Sequence, residues 1–446
     1  MEGKERTIMR MNRNWRIAVP AAIAAATMAL AGCGSAGGGT ADVKPADGDV
    51  TLTLNWWGSN NRVKLTTDAI AAFEKLHPNI HIEPTYSDNS GYWDKLATSI
   101  AGKEMPDVVQ MDEAYLASYA SQGTLYDMSN LGDYLKTDTM DSALLDTGKY
   151  EGKLYAAPIA STVYVMVVNN DILNKLGITL PDTDKWSWDD FEQICKEVVE
   201  KSNGEYTGIS PMSNPMSLSM WARQYGEELY TNGKVSIKPE TLAKYLQLAY
   251  DWTHGDEIAG TPDNMSEQIS GTWEQSDMAK GKQAFGFAYT NQVSSYMKTL
   301  GTENLSLVAM PSDNQNVNWM YLKPCQYWSI SATTEHPAEA AELIDFLINN
   351  EDAGKILGTE RGIPANNTIR ETLTESATGG DKVAMEFHKN EASRMGAAAE
   401  ITPNGASTLQ KMVPRYQQEV AFGRMTAIDA ANALITELQG NIDSAD

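Results

Sequence analysis

Cysteine and histidine are scarce in this chain. Its 446 residues include three cysteines and five histidines. Cys33, Cys195 and Cys325 have none of the paired spacings that bind zinc or form a redox motif, and the histidines show no spacing typical of metal ligands. We therefore expect no metal ion and no cofactor. Free cysteines are usually buried, so we expect Cys195 and Cys325 to be buried free thiols.

Basic side chains are also in the minority. The chain has 35 lysines and arginines against 59 aspartates and glutamates, which gives a formal net charge of −24 at pH 7. A surface with this balance repels nucleic acid and anionic lipid, because their phosphates carry the same sign. It also disfavours a phosphorylated ligand, unless a local basic pocket overrides the global field. Solubility outside a cell is the simplest explanation of the charge.

The common catalytic motifs are missing. The chain has no Gly-x-Ser-x-Gly elbow, Walker loop, dinucleotide fingerprint or HExxH sequence. With 59 acidic residues some carboxylates will pair by chance, so a glycosidase dyad stays open as an alternative that no motif supports. We predict that the chain is not an enzyme.

The long apolar run lies near the N-terminus. Residues 17–31 follow a basic segment and end in Leu30-Ala31-Gly32-Cys33. The run is short for a membrane-spanning helix, and its order of features is typical of an export signal over residues 1–32. The tetrad resembles the lipobox of bacterial lipoproteins, which implies acylation of Cys33. An ordinary signal peptide with an incidental cysteine is the alternative. Residues 33–49 are rich in glycine and polar residues and predict a flexible tether.

The rest of the chain alternates between strand and helix patterns. It has about 400 residues, too many for one compact core, so two lobes are expected. Residues 50–56, 65–76 and 80–84 read as strand, helix and strand, which is a βαβ unit with a parallel pair of strands. Further strands are predicted at 107–111, 283–289, 305–310 and 328–332, and helices at 113–121, 188–201, 242–253 and 337–349. The fold class is therefore α/β.

Eleven stretches spread over the chain form an ordered set of landmarks. They are residues 55–58, 73–80, 92–96, 102–109, 152–158, 169–173, 176–178, 186–191, 281–285, 336–341 and 361–365. Together they resemble the bacterial extracellular solute-binding proteins of ABC importers, in the carbohydrate-binding group related to maltose-binding protein. Ser187 is a departure, because the family usually carries threonine there.

The resemblance implies a two-lobed periplasmic-binding-protein fold of type II, with a hinge that the chain crosses three times. The implied crossings lie near residues 160–165, 306–312 and 358–363. The implied first lobe is residues 50–160 and 312–358, and the implied second lobe is residues 165–306 and 363–446. This division would place the two free cysteines in opposite lobes.

The resemblance also implies a function. A sugar or oligosaccharide would bind in the cleft between the lobes by domain closure, and the closed form would dock on ABC permease subunits in the membrane. We expect a monomer on the extracellular face of the cytoplasmic membrane, anchored through Cys33. A surface glycoside hydrolase and an adhesin or sensor module with the same fold are the rival interpretations.

Candidate ligand-binding residues in the first lobe follow its strands. In open α/β sheets, ligands bind beyond the carboxyl ends of the strands. Trp57 would be a stacking platform for a sugar ring, or alternatively a core tryptophan. Asp112 would accept hydroxyl hydrogen bonds, or cap the helix beginning at Glu113, or do both. Asn60 and Arg62 would donate to sugar oxygens, although Arg62 is as plausibly solvated.

The candidates in the second lobe rest on the resemblance to the family's oligosaccharide binders. They are Trp221, Arg223, Trp273, Glu274, Tyr289 and Asn291. Aromatic residues at helical spacing are more often core residues, which is the alternative for the tryptophans. Arg361, beside the third crossing, would bridge the lobes or form a structural ion pair in the hinge.

Overall fold

The computed structural model describes residues 43–255, 257–270 and 275–445. The predicted export signal, Cys33 and most of the tether lie outside these residues, as do Trp273 and Glu274. Within the described part of the chain, no helix combines the length and apolarity that crossing a bilayer requires.

Strands and helices alternate along the chain, as the sequence predicts. The strands are β1 Val50–Trp57, β2 Ile80–Ser87, β3 Val108–Met111, β4 Lys149–Tyr150, β5 Lys153–Leu154, β6 Ala157–Thr162, β7 Tyr164–Asn169, β8 Tyr230–Thr231, β9 Lys234–Val235, β10 Phe285–Tyr289, β11 Leu305–Val308, β12 Lys323–Ile330 and β13 Ile363–Pro364.

The helices flank these strands. They are α1 Asn60–Leu76, α2 Asn89–Ala101, α3 Glu113–Ser121, α4 Ser142–Asp146, α5 Asn170–Leu176, α6 Trp188–Lys201, α7 Pro215–Gln224, α8 Pro239–Asp251, α9 Pro262–Ser270, α10 Val293–Leu300, α11 Pro337–Asn349, α12 Glu351–Leu357, α13 Asn367–Ser376, α14 Gly379–Asn390, α15 Leu409–Ala421 and α16 Ala427–Asp443. Short 3₁₀ turns occupy Met128–Asn130, Thr290–Gln292, Ala392–Arg394 and Ala406–Thr408.

The first lobe is built on a six-stranded sheet of order β13-β6-β12-β3-β1-β2. β1 is parallel to both β2 and β3, as the βαβ pattern predicts. β12 runs antiparallel to β3 and β6, and β13 runs antiparallel to β6, so the sheet is mixed. Parallel pairing in this sheet is therefore limited to β1, β2 and β3. The antiparallel strands come from distant parts of the chain, which the local pattern does not reveal.

A three-stranded antiparallel sheet of order β10-β7-β11 forms the centre of the second lobe. The side chains around it form a large core that includes Trp186, Phe191, Trp252 and Phe285. α8 packs against α15 and α16 from the C-terminal part of the chain. In the first lobe, apolar clusters cover both faces of the sheet, and Phe73 and Tyr327 are wholly buried on opposite faces.

The chain passes between the two sheets at short connections. β6 of the first sheet and β7 of the second are separated by Val163 alone. β11 of the second sheet leads back to β12 of the first through residues 309–322, and Trp319 and Tyr321 of this connection pack in the second-lobe core. The predicted boundary placed residues 312–322 in the first lobe. Their apolar side chains instead join the second.

Near the third implied passage, Ile363 packs in an apolar cluster with Val167 and Leu305 of the second lobe. β13 still pairs with β6, so residues 363 and 364 extend the first sheet. α14 then packs against α10 and β11 of the second lobe. Cys195 is buried in α6 of the second lobe, whereas Cys325 lies in β12 of the first.

Candidate functional site

A cavity of about 230 Å³ lies between the lobes, where β3 ends. In the first lobe it is lined by residues that follow β3 and by the first residue of β12. The second lobe contributes the start of α7 and the segment that precedes α15. Its lining includes Asp112, Glu113, Lys323, Asn214, Met216, Tyr230, Tyr289, Tyr321, Ala399, Glu400 and Thr402. The position matches the general expectation that ligands bind beyond the carboxyl ends of strands.

Asp112 has two roles at this position. Its side chain is the N-cap of α3, where Oδ1 accepts a hydrogen bond of 3.0 Å from the backbone N–H of Ala114. The same carboxyl group lines the cavity. Burial raises the pKa of Asp112, whereas the nearby ammonium of Lys323 acts in the opposite direction. The two alternatives raised by the sequence are therefore compatible.

Glu113 and Lys323 form an ion pair on the cavity wall, with Nζ at 2.6 Å from Oε2. Burial lowers the pKa of Lys323, but the carboxylates of Glu113 and Asp112 outweigh this effect and the pKa is raised. Thr402 of the second lobe donates from Oγ1 to Glu113 Oε1 at 3.5 Å. Glu113 therefore links the two lobes directly.

Tyr289 and Asn214 provide the opposite wall. The hydroxyl of Tyr289 donates to Asn214 Oδ1 at 3.2 Å, and this oxygen also accepts from the backbone N–H of Met216 as the N-cap of α7. Burial raises the pKa of Tyr289, so the hydroxyl stays protonated at neutral pH. The wall thus presents a fixed phenol and a fixed amide.

Asn291 lies at the first crossing and is absent from the residues that line the cavity. Its Oδ1 accepts a hydrogen bond of 3.1 Å from Thr162 Oγ1, at the end of β6. The adjacent Thr290 hydroxyl is 3.1 Å from the same Thr162 hydroxyl and 2.8 Å from His388 Nε2. The structure therefore gives Asn291 a contact across the hinge.

Trp57 is 6% exposed and packs in the core, as the alternative reading proposes. Its ring lies 4.9 Å from Tyr92 and 5.3 Å from Trp93, between centroids. It is absent from the cavity lining. Trp93 stacks on the exposed Tyr115 with 3.9 Å between ring centroids.

Asn60 and Arg62 also lie away from the cavity lining. Asn60 is the exposed first residue of α1. Arg62 is largely buried, and its Nε donates to Glu360 Oε2 at 2.6 Å while Nη1 donates to the carbonyl of Trp57 at 3.2 Å. Arg62 therefore ties α1 to the connection between α12 and β13, which is neither the ligand contact nor the solvated state expected of it.

Arg361 is buried inside the first lobe. Nη2 donates to Thr66 Oγ1 at 2.9 Å, Nε donates to Gln110 Oε1 at 3.3 Å, and the guanidinium lies 5.3 Å from the ring centroid of Trp328. Burial, followed by the positive charge of Arg62, lowers its pKa to about 9. The contacts of Arg361 are structural, but they are hydrogen bonds and not the ion pair that the sequence suggests as an alternative.

Trp221 and Arg223 lie on α7 but have different surroundings. Trp221 is 4% exposed, and its indole N–H donates to the carbonyl of Thr241 at 3.0 Å in the second-lobe core. Arg223 donates to the carbonyls of Ala397 and Ala398 at 2.7 and 3.1 Å. The segment that Arg223 holds continues into Ala399, Glu400 and Thr402, which line the cavity. Arg223 thus supports a wall of the cavity from behind.

A larger groove of about 940 Å³ adjoins the cavity. The two share Tyr230, Ala399, Glu400 and Thr402. Its first-lobe wall includes Asp146, Lys149 and Tyr150, and its second-lobe wall includes Glu228, Asn232 and Lys234. Cavity and groove together form a continuous interlobe cleft. This cleft is large enough for a ligand that has more than one ring.

The sequence reasoning did not select Glu113, Lys323, Asn214, Tyr230 or Glu400. Glu113 directly follows Asp112, so it has the same signal, a position just after a strand. The other four come from separate segments, and no local sequence pattern around them indicates a ligand-binding role. Among the described residues, no group of histidine, cysteine, aspartate and glutamate side chains is arranged to hold a metal ion.

Comparison with known proteins agrees with this architecture. The family model for bacterial extracellular solute-binding proteins matches residues 68–385. An uncharacterized lipoprotein of Streptomyces antibioticus is 25% identical over 350 residues, covering 75% of this chain and 73% of the relative. The arabinooligosaccharide-binding protein of Bacillus subtilis is 23% identical over 260 residues, covering 57% of this chain and 58% of the relative.

Solved structures share the fold over almost the whole chain. A family 1 extracellular solute-binding protein from Alicyclobacillus acidocaldarius has 28% identity and a TM-score of 0.76, covering 90% of this chain and all (100%) of that one. A periplasmic oligogalacturonide-binding protein from Yersinia enterocolitica has 23% identity and a TM-score of 0.76, covering 89% of this chain and 99% of that one.

Proposed function

We propose that this chain, which belongs to the family of bacterial extracellular solute-binding proteins, captures a sugar or oligosaccharide for an ABC importer. The observation that carries the proposal is the interlobe cavity at the end of β3. It combines carboxylate, amide and phenol groups with apolar surface. Sugars need this combination, because their hydroxyls require hydrogen-bond partners while their C–H faces require apolar contact.

Residues in the cleft have distinct proposed roles. On the first-lobe side, Asp112 accepts hydrogen bonds from the hydroxyls of the sugar. On the second-lobe side, Tyr289 and Asn214 form hydrogen bonds with the same ligand. Arg223 positions the segment that contains Glu400 and Thr402. Asn291 keeps its place in the hinge rather than in direct ligand contact. Trp273 and Glu274 remain candidates on the strength of the resemblance alone.

Capture proceeds by domain closure. The lobes are joined by short connections such as Val163, so they rotate as nearly rigid bodies. The ligand drives closure only by its preference for the closed state over the open one. Small-angle scattering with and without a tightly bound oligosaccharide measures this. An unchanged radius of gyration on saturation contradicts closure.

A thermal-shift screen against a panel of neutral oligosaccharides tests the ligand class. A binding sugar raises the melting temperature with increasing concentration, because it stabilises the folded state alone. Asp112→Asn keeps the helix cap but loses a charged acceptor, and it should reduce the shift. If no oligosaccharide in a broad panel raises the melting temperature, the carbohydrate assignment fails.

We further propose that the bound sugar is released unchanged. Glu113 is already paired with Lys323, so this carboxylate is held on the cavity wall by a protein cation and is not free to act on a glycosidic oxygen. An assay for new reducing ends during incubation with the binding oligosaccharide distinguishes the rival hydrolase. Steady release by the unaltered protein, lost in Asp112→Asn, would establish the hydrolase instead.

The proposed location is the extracellular face of the cytoplasmic membrane, with Cys33 acylated and the protein acting as a monomer beside its permease subunits. Cys33→Ser should move the protein from the membrane fraction to the medium, because the lipid attached to this cysteine supplies most of the membrane affinity. Cys195→Ser is the matched control and should stay in the membrane fraction. Equal fractionation of both variants would exclude the anchor.

A further inference from the structure

Acidic groups outnumber basic groups on the walls of the interlobe cleft. The cavity is lined by three carboxylates, Asp112, Glu113 and Glu400, and by the ammonium of Lys323. The adjoining groove adds four acidic and two basic side chains, which are Asp146, Glu151, Glu228, Asp443, Lys149 and Lys234. Of these, Glu228 is already paired with Arg223, whose Nε lies 3.0 Å from its Oε2. Low-dielectric walls strengthen the field inside a cleft of this kind, so a ligand experiences a negative potential.

Lys323 does not provide a free cation for a ligand. Its Nζ lies 2.6 Å from Glu113 Oε2, and both side chains are mostly buried. A ligand carboxylate that took over the ammonium would leave Glu113 without its partner inside the cleft. Removing one member of a buried ion pair is strongly unfavourable, because the remaining charge stays desolvated. The lysine therefore neutralises Glu113 rather than attracting an anion.

The groove has two basic residues, Lys149 and Lys234, and Lys234 is exposed at the start of β9. Lys149 Nζ lies 2.7 Å from Asp146 Oδ1, so this lysine is already neutralised. Glu400 accepts hydrogen bonds of 2.9 and 2.6 Å from the backbone N–H groups of Asn232 and Gly233, which hold its negative charge at the junction of cavity and groove. Glu400 is thus fixed in place by backbone contacts.

Asp112 has a free position for a ligand. Its Oδ1 accepts from the backbone N–H of Ala114, while no protein donor reaches Oδ2 among the described residues. A half-buried carboxylate oxygen in this position can accept from a hydroxyl or, more strongly, from an ammonium group. The cavity itself therefore offers a carboxylate oxygen with which a ligand can form a hydrogen bond.

We propose that the cleft selects saccharides by charge, binding an amine-bearing saccharide more tightly than the matching neutral one and rejecting uronates. Asp112 is the residue that distinguishes amine from hydroxyl. The walls of the cleft carry a net negative charge, and Lys323 is already paired with Glu113. Sugars that bear a carboxylate are therefore excluded. This inference rests on the proposed carbohydrate-binding function and specifies the chemical class of its ligand.

Isothermal titration with matched disaccharides tests the proposal. One series is cellobiose, the β-1,4-linked glucosamine dimer and the β-1,4-linked glucuronic acid dimer; a second has the galactose configuration. In the series that binds, the amine should bind about tenfold more tightly than the neutral sugar and the uronate at least about tenfold more weakly. Raising the salt concentration should narrow both differences, because screening weakens charge interactions.

Asp112→Asn isolates the contribution of one carboxylate. Asparagine is an equally good helix cap, so the fold should be kept. The variant should bind the neutral sugar somewhat more weakly, as expected for a residue that contacts hydroxyls, and should lose most of the preference for the amine. Glu83→Gln is the control, because it removes one unit of charge from the exposed edge of β2 without lining the cleft. Glu83→Gln should bind the amine, the neutral sugar and the uronate with the same order of affinities as the unaltered protein.

The outcomes separate two kinds of failure. Binding of a uronate as tightly as its neutral counterpart would overturn the charge selectivity and leave the carbohydrate function standing. The same holds if Asp112→Asn keeps the full preference for the amine. If no saccharide of any charge binds, the proposed function itself is overturned, and this inference with it.

Discussion

The ammonium of Lys323 lies 2.6 Å from the carboxylate of Glu113, although 210 residues separate the two in the chain. Lys323 begins β12 and Glu113 begins α3, and the antiparallel pairing of β12 with β3 brings them together. The pair stands on the wall of the interlobe cavity, where Glu113 also contacts Thr402 of the second lobe. One ion pair thus contributes to both the first-lobe sheet and the contact between lobes.

Lys323→Met should destabilise the protein by about 2 kcal/mol, because it leaves the Glu113 carboxylate mostly buried and unpaired. Urea denaturation at neutral pH measures the change. Lys64→Met is the matched control, since the Lys64–Asp68 pair is exposed and such pairs contribute about 0–1 kcal/mol. Equal effects of the two substitutions would show that the Glu113–Lys323 pair behaves like a surface pair.

Stability should fall below neutral pH because of His388. Burial, followed by the charge of Arg370, lowers the pKa of this histidine to about 3. The folded state therefore excludes a proton that the unfolded chain binds near pH 6.5, so stability is full above that value and is lost as the pH falls towards 3. The loss from this group at pH 5 is roughly 2 kcal/mol.

Urea denaturation of His388→Gln at pH 7 and pH 5 measures this component. The variant is expected to be less stable at pH 7, because the hydrogen bond with Thr290 changes, but its stability should vary less between the two values. His81→Gln removes an exposed histidine and should keep the pH dependence of the unaltered protein. A dependence in His388→Gln as steep as in the unaltered protein would contradict the assignment.

Trp57→Ala should affect the stability of the fold more than the affinity for a sugar. The indole is buried against Tyr92 and Trp93, so its removal should reduce the free energy of unfolding by about 3 kcal/mol. Tyr115→Ala removes an aromatic ring that is 39% exposed and should cost about 1 kcal/mol or less. Chemical denaturation compares the two. A stable Trp57→Ala variant with weakened sugar binding would restore Trp57 to the site.

Arg223→Ala should loosen the segment that leads into the cleft. The substitution removes both donors to the carbonyls of Ala397 and Ala398, so residues 396–404 should exchange amide hydrogens faster by about tenfold. Exchange followed by mass spectrometry reports on this peptide directly. Arg424→Ala removes an exposed arginine paired with Glu419 and serves as the control. Unchanged exchange in Arg223→Ala would mean that other contacts hold the segment.

Local patterns predicted several elements closely. α3, α6 and α11 have the bounds that their periodicity indicated, and Ser187 caps α6 through a capping box with Asp190. Helix periodicity and capping act over a few residues, so they can be read directly from the chain. The same is true of the parallel pairing of β1 and β2, which follows from a short βαβ unit.

The candidate site was predicted less well, for a physical reason. Trp57 and Trp93 are both aromatic, but which of them is covered depends on the packing of α2 and α3 against the sheet. Arg62 and Arg361 were placed near the cleft by their sequence neighbours, and their actual partners, Glu360 and Gln110, are chosen by tertiary contacts. Side-chain direction at the end of a strand is not encoded by the residue type alone.

The amino-acid sequence by itself determined the alternation of strands and helices, the acidic surface and the family resemblance, because each depends on neighbouring residues or on composition. Only the tertiary structure decided that Glu113 meets Lys323, that Asp112 faces Tyr289 across a cavity, and that Arg223 supports the segment containing Glu400. These relationships join residues between about 170 and 210 positions apart. They exist only once the lobes have folded and packed together, since no local force brings such distant groups into contact.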